Sequence, residues 1–131
     1  MSKLALDVGI IALTPTADQT NYRGYFVEAS SGSAAICNAA TDLPIGVIVD
    51  GQPTTGQSSI AVASGLAVKV KVTGTSPGTI ALGTYLTLKS DGTVQADAGS
   101  GARVQVARAL ESGAAGELIT AVLINPVSIA S

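Results

Sequence analysis

The stretch Leu66-Ala67-Val68-Lys69-Val70-Lys71-Val72-Thr73 alternates with a period of two, so Leu66, Val68, Val70 and Val72 share one face while Lys69 and Lys71 take the other. A helix would scatter those four residues around its circumference. A strand gathers them, and a slip of one residue would move all four to solvent, which fixes the register along with the strand. The rest of the chain follows the same pattern. β-Branched apolar runs are broken by 15 glycines and five prolines, the mark of many short strands joined by turns.

Tyr85–Lys89, the turn Ser90-Asp91-Gly92-Thr93 and Val94–Ala96 predict a hairpin, because an Asp-Gly pair supplies the positive φ of a tight turn. Arg103–Leu110, the small-residue turn Glu111–Gly116 and Glu117–Ile124 predict a second hairpin, ended by Asn125-Pro126. A short helix over Ala107–Glu111 competes with the first of these strands, since alanine serves on either face. Leu4–Leu13, Gly24–Glu28 and Ile45–Val49 read as earlier strands, with Pro15, Pro44 and Pro53 at boundaries where a missing backbone donor does least harm. Thr14–Asn21 is a polar loop or an ordered arm, and Ala98–Ala102 is the loosest connection. No repeat of 20–50 residues is visible. The fold class expected is all-β: a single-domain β-barrel or β-sandwich of short antiparallel strands with little helix.

With 131 residues the chain suits one domain, which removes roughly two-thirds of its unfolded surface from water without metals or disulfides. Only 12% of the residues are charged, about half the usual share of a soluble domain. Ser, Thr, Gln, Asn and Gly take over the polar surface, and a large subunit interface would account for the deficit as well. The seven cations, Lys3, Arg23, Lys69, Lys71, Lys89, Arg103 and Arg108, are scattered, and the net charge is −2. Phosphate backbones demand clustered cations, so no nucleic-acid partner is expected. An early acid, Asp7, breaks any secretory apolar core, and no apolar run reaches membrane-spanning length. The expectation is a soluble product made in the cytoplasm, with no membrane partner.

The chain contains no histidine, which removes His-dependent triads, the commonest general acid-base and the commonest zinc ligand. Cys37, the one cysteine, lies in the apolar stretch Ala34-Ala35-Ile36-Cys37 and reads as a buried structural thiol. Lys89 and Ser90, neighbours on a strand, point to opposite faces and do not converge. Asp50-Gly51 and Asp91-Gly92 lack the later acids of a calcium loop, and Gly99-Ser100-Gly101 lacks the Lys-Ser/Thr ending of a phosphate loop. Glu28, Asp50, Glu111 and Glu117 supply carboxylates for a glycosidase pair. Sugar platforms are scarce, however, with only Tyr22, Tyr25, Phe26 and Tyr85 and no tryptophan. These aromatics read as core or interface anchors. The expectation is a non-enzyme without catalytic residues, cofactor, metal or small-molecule substrate.

Three segments in order carry a family likeness: Leu43-Pro44-Ile45-Gly46-Val47-Ile48-Val49; then Gly65–Val70 with Ile80–Leu88 and Asp91-Gly92-Thr93-Val94; then Val106–Glu111, Ser112–Gly116 and Glu117–Asn125. Residues 43–125 thereby resemble the small cement or decoration proteins of tailed-phage capsids. Where that family often has Gly-Val before its Ala-Leu-Glu segment, this chain has Val106-Ala107-Arg108. The resemblance implies a structural virion protein on the outer capsid surface, often trimeric, that clamps the major capsid protein and stabilises the shell. Residues 1–21 would be an N-terminal strand or capsid-contacting arm and residues 22–131 the decoration domain, with Lys3, Leu4, Leu6 and Tyr22 as candidate capsid contacts. A carbohydrate- or cell-surface-binding head-fibre or adhesin module, or a tail structural protein, would share the same β-rich composition.

Overall fold

A computed structural model describes residues 9–130. Ten strands run in chain order: β1 (Ile10–Leu13), β2 (Phe26–Ser30), β3 (Ser33–Ile36), β4 (Gly46–Asp50), β5 (Ser58–Ala61), β6 (Ala67–Lys71), β7 (Tyr85–Leu88), β8 (Val94–Ala96), β9 (Arg103–Ala109) and β10 (Leu118–Ile129). They form two five-stranded sheets, ordered β1-β5-β4-β2-β3 and β6-β10-β9-β7-β8, in which every strand pair is antiparallel. No helix occurs among the described residues. The expected all-β fold is therefore realised as a sandwich and not as a closed barrel.

The helix considered for Ala107–Glu111 does not form. Ala107, Arg108 and Ala109 continue β9, paired with β10 on one side and, through Ala107 and Arg108, with β7 on the other. Central position in a sheet outweighs the helix propensity of alanine. The expected end of the last strand at Asn125-Pro126 also moves. The pairing of β10 with β9 skips from Leu123 to Val127 and then resumes through Ile129, so the proline sits in an irregularity where its missing N–H breaks no ladder bond.

Each sheet is built from one contiguous half of the chain, and the two halves repeat one topology. The N-terminal row Ile10–Ala61–Val47–Phe26 has its counterpart in Ala67–Val122–Arg108–Tyr85, reading across the same four strands in the same order. The next row, Ile11–Ile60–Ile48, matches Val68–Ala121–Ala109. Even the closure of the edges is repeated. Pro15 bridges Ala34 in parallel between the exit of β1 and β3, and Val72 bridges Val94 between the exit of β6 and β8. Equivalent residues stand 57–61 positions apart, longer than the period searched for in the sequence, where Ser31-Gly32-Ser33 with Asp91-Gly92-Thr93, and Gly24-Tyr25-Phe26 with Gly83-Thr84-Tyr85, keep a visible trace.

The interior side chains of the first sheet, Val27, Ala34, Ile48 and Ile60, form a small cluster of their own. The larger core belongs to the second sheet, with Val70, Val72, Leu86, Leu88, Val94, Val104, Val106, Ile119 and Leu123, and it also takes in Phe26, Val47 and Ala61 from the outer row of the first sheet. The halves are stitched by backbone bonds as well. Phe26 N–H donates to the Gly92 carbonyl at 2.9 Å, and Lys71 N–H donates to the Gly24 carbonyl at 3.0 Å.

Gln19, 1% exposed, closes the first sheet from inside. Its Nε2 donates to the Ala34 carbonyl at 2.9 Å and its Oε1 accepts from the Ser58 hydroxyl at 2.9 Å, so a buried polar side chain is satisfied at both ends. Gly51 lies against the Gln19 backbone so closely that a Cβ there would overlap the Gln19 carbonyl oxygen, whereas a Cβ at Gly74 would meet nothing within 4 Å. Gly51→Ala is therefore expected to destabilise by roughly 1–3 kcal/mol, and Gly74→Ala to be neutral or stabilising by up to about 1 kcal/mol. Urea unfolding of both variants checks the contrast, which equal midpoints would contradict.

Candidate interaction surfaces

Of the four candidate contact residues, Lys3, Leu4 and Leu6 lie outside the described residues. Tyr22 is 38% exposed on the turn that enters β2. That turn is held by Tyr22 N–H on the Gln19 carbonyl (3.0 Å) and Tyr25 N–H on the Tyr22 carbonyl (3.1 Å), and the Tyr22 ring meets Tyr25 edge-on at 4.9 Å and 82°. The ring is thus held by a neighbour while the residue stays partly exposed. Beside it Arg23 joins Ile10, Val49, Ala67, Val68, Lys69 and Thr120 around an open groove of about 290 Å³, lined by β1 and β4 of one half and by β6 and β10 of the other. Phe26, by contrast, is 2% exposed and serves the core.

The four carboxylates considered as a catalytic pair do not converge. Glu111 accepts from Lys69 Nζ (3.2 Å) and from Thr120 N–H (2.6 Å), and the Thr120 backbone donor, followed by Lys69, holds its carboxyl below the usual range. Glu117 accepts from Ala114 N–H at 2.7 Å, and Asp50 accepts from the Gln52 amide at 3.3 Å. Glu28 faces Asp42; burial first, and then that neighbouring acid, push its carboxyl up. Cys37 is buried, and burial, with Glu28 and Asp42 adding to it, pushes the thiol up to about 12, which keeps it protonated and unreactive at neutral pH. No cluster of three metal-ligating side chains occurs among the described residues.

The loosest connection in the sequence turns out to be anchored. Asp97 accepts from Gly99 N–H (2.9 Å), from the Gln105 amide (2.7 Å) and from the Arg103 guanidinium, which also donates to the Gly101 carbonyl at 2.9 Å. Burial raises the Asp97 carboxyl, but the donors of Gly99, Gln105 and Arg103 together outweigh it and the net direction is down.

Sequence reasoning missed a different class of residue. Leu82, Tyr85 and Leu110 are 72%, 42% and 42% exposed around the entry of β7 and the end of β9, and Leu43 and Ile45 are 60% and 37% exposed just before β4. The Arg108 guanidinium lies 5.0 Å from the centre of the Tyr85 ring and donates to the Gly83 carbonyl at 3.2 Å. An aromatic face is thereby fixed in an exposed position. The signal available was the strand period itself: Tyr85 and Arg108 fall on the face opposite Leu86 and Ala107, which are buried.

No protein-family model and no curated protein matches the chain. Among solved structures, it is similar to the N base of the head fiber protein gp8.5 of bacteriophage phi29, with a TM-score of 0.58 and 21% identity. The match covers 88% of this chain and 93% of that one. It establishes the fold across nearly the whole described region.

Because the folded Asp97 carboxyl lies below its unfolded value, its contribution is complete above the ordinary Asp pKa of about 3.9 and is lost as pH falls through the folded value. Asp97→Asn is expected to melt below the parent at neutral pH, with the gap closing in strong acid. Thermal melts across the acid range test this, and a gap that persists undiminished at the lowest pH would contradict it.

Proposed function

We propose that the chain is a structural protein of a phage head that binds the outer surface of an icosahedral capsid, acts as a homotrimeric clamp on the major capsid protein, and has no catalytic role. The observation that carries this reading is the match of nearly the whole fold to the base of a phage head fiber. Residues 43–125 resemble capsid decoration proteins on separate grounds, namely the order of their segments. Three of the four carboxylates add support, because Asp50, Glu111 and Glu117 are each engaged by a neighbouring amide, a backbone N–H or a lysine. A clamp that binds the assembled shell and not its separated subunits stabilises the shell by mass action, and several weak contacts held in one oligomer add up to high avidity.

The same match favours a closely related second reading, in which the chain is the capsid-bound base of a head fibre that carries a receptor- or glycan-binding part elsewhere. The two share the attachment step and differ in what is attached.

Purified protein mixed with capsids of the phage that encodes it is expected to co-sediment with them, to appear by electron microscopy as density on the head, and to raise the temperature at which the shells open. Density on the tail would reject the reading in favour of a tail component. Glycan binding by protein that ignores capsids would reject it in favour of an adhesin. Replacing Lys3, Leu4 and Leu6 together by alanine is expected to weaken capsid binding by about tenfold or more, a loss of roughly 1.4 kcal/mol. Unchanged binding would remove the N-terminal arm from the contact.

A further inference from the structure

The two halves share a topology but do not bury the same surfaces. In the N-terminal half, Phe26, Val47 and Ala61 of the outer row are 2%, 0% and 0% exposed, because that row packs onto the C-terminal half. Phe26 shares a cleft there with Val106 and Leu123. The counterpart row of the C-terminal half contains Tyr85 and Arg108, and it is open: Tyr85 is 42% exposed, and Leu110, in the place of the core-packed Val49, is also 42% exposed.

The receiving surface shows the opposite imbalance. Val104 and Val106, three residues and one residue before Ala107, are 0% and 1% exposed in the shared core. Gly46 is the counterpart of Ala107, each being paired with the residue after the first of its strand, Val27 and Leu86. The residues three and one before Gly46 are Leu43 and Ile45, 60% and 37% exposed. Each half thus carries an apolar row able to dock and an edge able to receive. Within one chain the N-terminal row fills the C-terminal receiving site; Ile45 lines the same cleft as Phe26, Val106 and Leu123, and Leu43 with the exposed part of Ile45 is left uncovered, as is the Tyr85 row.

We infer that the unfilled pair meets between copies: the Tyr85–Arg108–Leu110 row of one chain docks on the Leu43–Ile45 edge of the next, repeating between chains the contact already made within one. Charge agrees with shape. Arg108 lies in the docking row, and Asp42, directly before Leu43, faces Glu28, so a cation approaches two adjacent acids. Because the docking row and the receiving site are different surfaces, the contact is head-to-tail, and repeating it closes a ring where the rotation between copies divides a full turn. The inference deepens the proposed function by naming the interface of the trimer, and rests on that reading for the number three.

Sedimentation of the full chain is expected to give a trimer. Tyr85→Glu and Leu43→Glu are each expected to give folded monomers with unchanged circular dichroism, since both side chains are exposed in one copy. Mixing the two variants is expected to give a one-to-one dimer, because each retains one intact surface and only a head-to-tail contact can use them together. A variant that remains trimeric, or a mixture that remains monomeric, overturns the inference. Should either glutamate variant unfold, Ile45→Cys combined with Tyr85→Cys decides. Bismaleimide is expected to link that double variant into a ladder ending at three and to leave both single variants unlinked, with Cys37, 1% exposed, silent. Dimers from either single variant indicate a twofold contact and overturn it. A wild-type monomer that still decorates capsids rejects this interface alone, whereas a trimer that ignores capsids rejects capsid binding alone.

Discussion

The structure depends on the burial of Phe26, Val47 and Ala61, side chains on the outer face of one sheet, in the core of the other. The cluster inside the first sheet consists of Val27, Ala34, Ile48 and Ile60 with a rim of half-buried neighbours, a small store of apolar surface to set against the ordering of some fifty residues at roughly 1–2 kcal/mol each. The first sheet gains what it lacks by lending its outer row to the second. Truncating Phe26 alone would remove an aromatic of the kind worth about 3–5 kcal/mol in a core, and it would loosen the backbone bond to Gly92 that ties the two halves together.

The repeated topology shows how such an arrangement is stabilised physically. A unit whose outer face is apolar will stack on a second copy of itself, and joining the two in one chain makes that contact intramolecular and independent of concentration. The two halves differ according to what each position meets. Where the N-terminal half keeps Gln19 to hold Ala34 and Ser58, the C-terminal half has Ile80, 4% exposed, paired with Gly113. Where the N-terminal outer row has Val47 facing a core, the C-terminal row has Arg108 facing outward. A guanidinium stacked on Tyr85 tolerates water until a partner arrives, which suits a surface that must be soluble before it is covered.

Much of the fold was legible in the sequence because period-two alternation and turn residues act locally. Leu66–Thr73 announced β6 with Val70 and Val72 inward, and Asp91-Gly92 announced the β7–β8 hairpin. Two strands gave no such signal. β3 and β5, Ser33-Ala34-Ala35-Ile36 and Ser58-Ser59-Ile60-Ala61, are short and rich in serine and alanine, and they are strands because they pair with β2, β4 and β1. Tertiary partners, not propensity, decide such segments. Tyr22, Phe26 and Tyr85 all read as core or interface anchors in the sequence, and the structure separates them into a buried Phe26 and exposed tyrosines, because a sequence shows which residues share a face and not which of two equivalent faces is already covered.

That distinction also reinterprets the scarcity of charge. Surface charge keeps a monomer soluble, and 12% is little for that purpose. The charges that exist are largely engaged within the fold: Lys69 with Glu111, Arg103 with Asp97, Asp18 on Thr20, Glu117 on Ala114. Four of the outward apolar residues, in contrast, Leu43, Ile45, Tyr85 and Leu110, lie on the two surfaces that the repeat leaves without their intramolecular partners. A chain under pressure only to remain soluble would place charges at Leu43, Tyr85 and Leu110, where nothing in its own fold requires an apolar group. Retaining leucine and tyrosine at those positions is consistent with a protein whose working form covers them, and the internal repeat supplies the template for how.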